Sequence, residues 1–176
     1  MPKYSAHYCR GKLPTAFVLS VPGAAEADKR RPVSGDTGKN LDLALACLSS
    51  RNPTLFPSSR RYDYRITNAF AEPRAKSLGH ASSEAKASEI RTSANIARVI
   101  KDLSGCNLVL LCGKKAQLLS AAIEACGMQV VKVPHPGHRG LNKAFSTYPK
   151  ERRIYRWAKS ALELSLHPTK PQVTCG

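Results

Sequence analysis

Acidic residues are scarce in this 176-residue chain: 12 Asp and Glu stand against 28 Lys and Arg, a formal net charge of +16. A solvated surface normally mixes signs. A surplus of this size points to a polyanionic partner, whose phosphates release counterions when basic side chains neutralise them. Long apolar runs are missing too, which excludes a membrane-spanning helix. The opening stretch "MPKYSAHYCRGKLP" has no apolar core of the kind a secretory leader needs. The expectation is a cytoplasmic protein with no membrane partner. No helical pattern pairs a basic face with a broad aromatic face, so the polyanion is expected to be nucleic acid rather than a lipid surface. None of the six cysteines, Cys9, Cys47, Cys106, Cys112, Cys126 and Cys175, forms a C-x-x-C pair, and this argues against a zinc ribbon. Cys47, Cys112 and Cys126 occupy apolar positions and are expected as buried thiols. A hydrophobic content of 42% and a mean hydropathy of −0.32 suit a single domain with a real core.

One stretch imitates a nucleotide cradle. "RRPVSGDTGKNLDLAL", Arg30 to Leu45, runs glycine and lysine into an apolar helical pattern. A phosphate cradle of the form G-x-x-x-x-G-K-[ST] needs glycine where Val33 stands and a hydroxyl where Asn40 stands. It also follows a strand directly, whereas "EADKRRP" precedes this one. Triphosphate hydrolysis is therefore set aside.

The periodicities alternate. "TAFVLSV" (Thr15–Val21), "YDYRITNAF" (Tyr62–Phe70), "NLVLLCG" (Asn107–Gly113) and "MQVVKVPHPG" (Met128–Gly137) read as four strands. Leu41, Leu45 and Leu48 mark one helix. "SSEAKASEIRTSANIARVIKDL" (Ser82–Leu103) reads as a second, capped by Ser82 or Ser83. Two more follow, at Lys114–Cys126 and at Lys150–Leu166, the last with Ile154, Trp157, Ala158, Ala161 and Leu162 on one face. This order predicts an α/β fold, a three-layer α/β/α sandwich around a four-stranded, mainly parallel sheet. Residues 1–14 are expected as a basic N-terminal arm, 15–166 as the single domain, and 167–176 as a flexible tail. Ligands of such sheets bind at the C-terminal strand ends. There the sequence places Pro22-Gly23, Asn68 and "HPGHRGLN".

With these motifs in order, the chain resembles the uracil-DNA glycosylase superfamily, most closely its short bacterial and archaeal branch. "LSVPGAAEADKRRPVSGDTGKNLD" is similar to that branch's G-E-A-P-G, E-D and R-P-F-V-G-x-A-G-x-x-L-D segments. "ITNAF" resembles its T-N strand, "VLLCGKKAQLL" its L-G-x-x-A segment, and "HPGHRGLNK" its H-P-S motif. The resemblance spans Phe17 to Lys143.

The resemblance implies roles. His135 would stabilise negative charge at O2 of a departing pyrimidine, and Asn68 would read the base edge. N–H groups near Pro22-Gly23 would help hold the base or a phosphate. His138, Arg139 and Leu141 would enter the DNA and fill the vacated stack. Arg30, Arg31 and Lys39 would contact phosphates. Three departures stand out. Ser20 takes the place of the motif carboxylate, which leaves Glu26 and Asp36 as candidate acids, while Asp42 belongs to the helix. Val33 replaces the aromatic that stacks on the base, giving a wider pocket. Cys9 alone stands where the branch has two cluster cysteines, so no cofactor and no metal is expected. The expected function is a monomeric, monofunctional DNA glycosylase. Its expected substrate is a bulky modified pyrimidine, such as glucosylated hydroxymethylcytosine of phage DNA, and its product an abasic site in antiviral defence. The alternatives are repair of uracil or deaminated bases, and a non-catalytic DNA-binding relative.

Overall fold

The computed structural model describes residues 4–167. Its parallel centre is built from β3 (Thr15–Leu19), β4 (Arg65–Asn68), β5 (Leu108–Cys112) and β6 (Gln129–Val133), side by side in the order β4-β3-β5-β6. Every residue of β3 and β5 is buried, as expected of strands covered on both faces.

The sheet is larger than four strands, and it is mixed. Two short strands, β1 (Tyr4–Ser5) and β2 (Tyr8–Cys9), form a hairpin whose second strand runs antiparallel to β4, with Tyr8 opposite Thr67 and Cys9 opposite Ile66. Residues 4–9 of the expected arm therefore belong to a six-stranded sheet. The physical reason is edge protection: β4 would otherwise present a row of unpaired backbone groups. Strands of two residues each are too short to show alternation in sequence.

Alternating side chains split the core in two. Phe17, Leu19 and Ile66 point to the face covered by α2 (Asp36–Arg51) and α8 (Arg153–Leu166), meeting Leu41, Leu45, Leu48 and Trp157. Ala16, Val18 and Val109 point to the face covered by α4 (Ser93–Asp102), α5 (Lys114–Gln117) and α6 (Ser120–Ala125), meeting Val99, Ala116 and Ile123. Four residues of the expected α8 face, Ile154, Trp157, Ala158 and Ala161, are buried, and Leu162 is partly so.

Other boundaries differ. The second expected strand is only Arg65–Asn68, preceded by a 3-10 turn at Arg61–Asp63. Ser82 and Ser83 cap nothing. The expected long helix is α3 (Ala87–Ile90) and then α4, whose Thr92 hydroxyl accepts the Asn95 N–H at 3.3 Å. A hydroxyl that can bond nearby backbone competes with continuing the helix. Cys126 ends α6 exposed rather than buried. Of the expected tail, His167 closes α8, and 168–176 lie outside the described residues. Among the described residues no helix is long and apolar enough to cross a membrane.

All four parallel strands end at one edge. α8 runs antiparallel to β6, because Trp157 Nε1 donates to the Pro134 carbonyl (2.7 Å) while Gln129 Nε2 donates to the Ser165 carbonyl (3.0 Å). The first half of α8 thus sits at the strands' C-terminal ends.

Candidate functional site

A cleft of about 220 Å³ opens at those C-terminal ends. Leu19, Val21 and Val33 supply its apolar surface, and Glu26, Thr37, Asn68 and His135 its polar side chains. Asn68 is the last residue of β4 and is only 5% exposed. Its backbone carbonyl accepts a bond from Arg98 Nη2 (2.7 Å), but its side-chain amide has no hydrogen-bond partner among the described residues. Because Asn68 lines the cleft, its amide donor and acceptor are open to a ligand edge there.

Arg98 is the anchor behind Asn68. It also bonds Asn95 Oδ1 (3.0 Å) and pairs with Asp102 (2.7 Å), whose carboxylate accepts the Thr67 hydroxyl (2.8 Å). Arg98, Asn95 and Asp102 carried no motif signal. Only the fold brings α4 against β4.

His135 follows β6. Its Nδ1 accepts the Gly137 N–H at 3.0 Å, so in the neutral ring the proton resides on Nε2. Burial lowers the pKa of His135, and the charge of Glu84 partly opposes this. Glu84 lies in the loop before α3 and was not among the sequence candidates. The loop holding His135 is tied down from three helices. The Val133 carbonyl accepts from Gln117 Nε2 (3.0 Å), the Pro134 carbonyl from Trp157, and the Pro136 carbonyl from Asn40 Nδ2 (2.8 Å).

The opposite wall is the Val33 loop. Glu26, on α1 (Ala24–Lys29), accepts the N–H of Gly23 on one oxygen (2.9 Å) and those of Ser34 (2.8 Å) and Gly35 (3.3 Å) on the other. Tyr62 donates its hydroxyl to the Pro32 carbonyl (2.9 Å). Between these ties Val33 is held at φ +48°, a left-handed conformation that costs a β-branched residue about 1–3 kcal/mol.

The two walls share a device. Val33 and His135 each stand two residues before a glycine that starts a helix, Gly35 for α2 and Gly137 for α7 (His138–Ala144). Three residues further come Gly38 and Gly140. A Cβ on Gly38 would lie 1.9 Å from the Val33 carbonyl oxygen, and one on Gly140 would lie 2.1 Å from the His135 carbonyl oxygen. Each wall residue is therefore set by a backbone that rests directly on the first turn of the next helix. The spacing x-x-x-G-x-x-G, as in "PVSGDTG" and "PHPGHRG", is the signal that could have revealed this pairing.

The remaining candidates are distributed unevenly. Gly23 lines the cleft, but Glu26 takes its N–H, and Pro22 has none to offer, so neither supplies the expected free donor. Of the two acids Glu26 faces the cleft. Asp36 stands outside it, its pKa lowered by a hydrogen bond and charge from Lys39 at 3.0 Å, with His138 at 4.0 Å. Ser20 is not part of the lining, and its Oγ is buried without a partner among the described residues. Arg31 is committed to packing, its guanidinium 3.6 Å from the Tyr62 ring centre and 4.5 Å from that of Tyr4. Arg30, Lys39, His138 and Arg139 are exposed.

Leu141 corrects the expected DNA wedge: the segment after His135 is helix α7 rather than a loop, and Leu141 is 4% exposed within the core. An apolar residue at the fourth position of an amphipathic helix turns inward. Cys9 is fully buried with its Sγ against the Tyr62 carbonyl (3.6 Å). Among the described residues no three His, Cys, Asp or Glu side chains gather as metal ligands.

No protein-family model matches the chain, and no curated protein matches it.

Proposed function

We propose that the protein is a monofunctional DNA glycosylase that releases a pyrimidine from a flipped nucleotide and leaves an abasic site. The observation that carries this reading is the meeting of two open hydrogen-bonding groups in one cleft: the unpaired amide of buried Asn68 and the Nε2–H of neutral His135.

The chemistry follows from those groups. Extruding a nucleotide costs roughly a few kcal/mol, offset by contacts inside the pocket. Asn68 offers one donor and one acceptor to the base edge. The bond between sugar C1′ and the base nitrogen then breaks, with both electrons leaving on the base. His135 donates its Nε2–H to the oxygen on which that charge accumulates. A neutral imidazole suits the task, since it keeps its proton near neutral pH and stabilises the anion without first losing charge. Glu26 lines the cleft, where the sugar becomes positive; water then adds at C1′, and its proton passes through solvent to the base anion. Among the described residues no lysine lines the cleft, which favours simple hydrolysis over a Schiff base and strand cleavage.

For substrate, the reading favours a bulky modified pyrimidine such as glucosylated hydroxymethylcytosine, with phage restriction as the consequence. Its support is the small side chain of Val33 where the resembling family has an aromatic, because a smaller wall discriminates less by size. Uracil repair is the competing substrate assignment.

Mass spectrometry of bases freed from uracil-containing, deaminated and glucosyl-hydroxymethylcytosine DNA tests both levels. Release of the modified base in preference to uracil is expected, and Val33→Phe should impair that release selectively. Efficient uracil release alone would return the protein to ordinary repair. DNA binding with no free base from any substrate would reject catalysis.

A further inference from the structure

Basic and acidic residues are not spread evenly along this chain. Arg60, Arg61, Arg74 and Arg98 each pair with a carboxylate, respectively of Asp63, Asp42, Glu72 with Glu89, and Asp102. Along α7, the 3-10 turn at Lys150–Arg152 and the first half of α8, Glu151 is the single acid. Arg139, Lys143, Lys150, Arg152 and Arg156 have no carboxylate within ion-pair distance among the described residues. Between residues 139 and 159 the sequence has seven Lys or Arg and one acid, Glu151.

Position gives this patch its meaning. α7 begins three residues after His135, and the Trp157–Pro134 bond holds the first half of α8 at the same end of the sheet. The segment joining the two helices is braced from within. Arg153 donates to the carbonyls of Tyr148 (2.9 Å) and Ser146 (3.5 Å) and to Asn142 Oδ1 (2.5 Å). Arg156 stacks 4.4 Å from the Tyr148 ring centre. The exposed cations Arg139, Lys143, Lys150 and Arg152 thus stand as a ridge on braced elements at the cleft end of the sheet. Unpaired like charges on a braced scaffold repel one another, and an evenly spaced polyanion relieves that repulsion.

We propose that this ridge is a second contact surface for the DNA backbone, gripping the duplex beside the nucleotide that enters the cleft. Its placement relative to the flipped base rests on the glycosylase reading. Its affinity for the phosphodiester backbone does not.

The test is binding of an unmodified 30-base-pair duplex over a range of salt, followed by fluorescence anisotropy. The triple variant Lys143→Gln, Lys150→Gln, Arg152→Gln should lower the log–log salt slope by about 2.7, at about 0.9 per phosphate contact. A control triple at the opposite end of the strands, Arg10→Gln, Lys12→Gln, Lys101→Gln, removes equal charge and should leave the slope unchanged. All six side chains are exposed, so thermal melts of both variants should match the wild type. Equal losses in both triples, or no loss in the first, would overturn the ridge. Tighter binding of an RNA duplex with the same loss would overturn its assignment to DNA. If the first triple alone loses slope while no DNA substrate releases a base, the ridge stands and the glycosylase reading falls.

Discussion

The two walls of the cleft are built on the same glycine spacing yet are held by different means. The His135 wall is tied through neutral donors from distant helices, Gln117, Trp157 and Asn40, onto the carbonyls of Val133, Pro134 and Pro136. The Val33 wall depends on one ionised side chain, Glu26, plus the Tyr62 hydroxyl, and carries a left-handed valine between them. A wall braced on carbonyls by packed helices is rigid. A wall suspended from a carboxylate and holding strain is the one that substitutions would reshape. On the proposed reading, the first wall carries the chemistry and the second the substrate fit.

The sharpest way to break that division is to remove each wall residue. On the proposed reading His135→Ala should slow single-turnover base release on the order of a hundredfold or more, the usual loss when one donor to a developing anion is removed. Val33→Ala should alter which base is preferred with a much smaller change in the fastest rate. Equal losses would erase the distinction.

The glycines come next. Gly140→Ala and Gly38→Ala each force a methyl into a backbone carbonyl and should destabilise by about 1–3 kcal/mol in urea melts, the range for overpacking. Beyond the shared destabilisation, Gly140→Ala should depress base release and Gly38→Ala should change substrate preference.

A smaller effect separates the ties themselves. Trp157→Phe leaves the Pro134 carbonyl without its donor in a buried setting and should cost about 1–3 kcal/mol. Tyr62→Phe removes a half-buried hydroxyl bond and should cost about 1 kcal/mol. A larger loss at Tyr62 would mean the Val33 wall is the more rigid one.

The smallest effect is in pH. Burial lowers the pKa of His135 below its ordinary 6.5. As pH falls through 6.5 the unfolded chain takes up a proton that the folded chain refuses, so stability declines until the folded group is protonated too. This contribution is fully absent above 6.5. His135→Gln should therefore flatten the acid side of the stability profile relative to wild type, by urea melts between pH 5 and 8. Base release should stay constant through pH 6.5 and fall only below it.

The amino-acid sequence by itself determined the parallel centre and both strand ends that meet at the cleft. β3 and β5 are continuous apolar runs, and the Leu41–Leu45–Leu48 and Ile154–Trp157–Ala161 spacings each cover one face, because burial on both sides of a sheet leaves periodicities legible in a single chain. Asn68 and His135 could be named for the same reason: strand exits are where such sheets bind ligands. Only tertiary structure decided the rest. The edge hairpin at residues 4–9 exists because β4 offers unpaired backbone, a fact 56 residues or more away along the chain. Arg31 is stacked on Tyr62 and Leu141 is turned into the core, although in sequence each resembles a DNA contact. That Glu26 rather than Asp36 lines the cleft follows from α1 folding against the Val33 loop, where the Ser34 and Gly35 N–H groups meet its carboxylate. Local propensity cannot register such contacts, because a hydrogen bond between segments takes its energy from an approach that neither segment specifies alone.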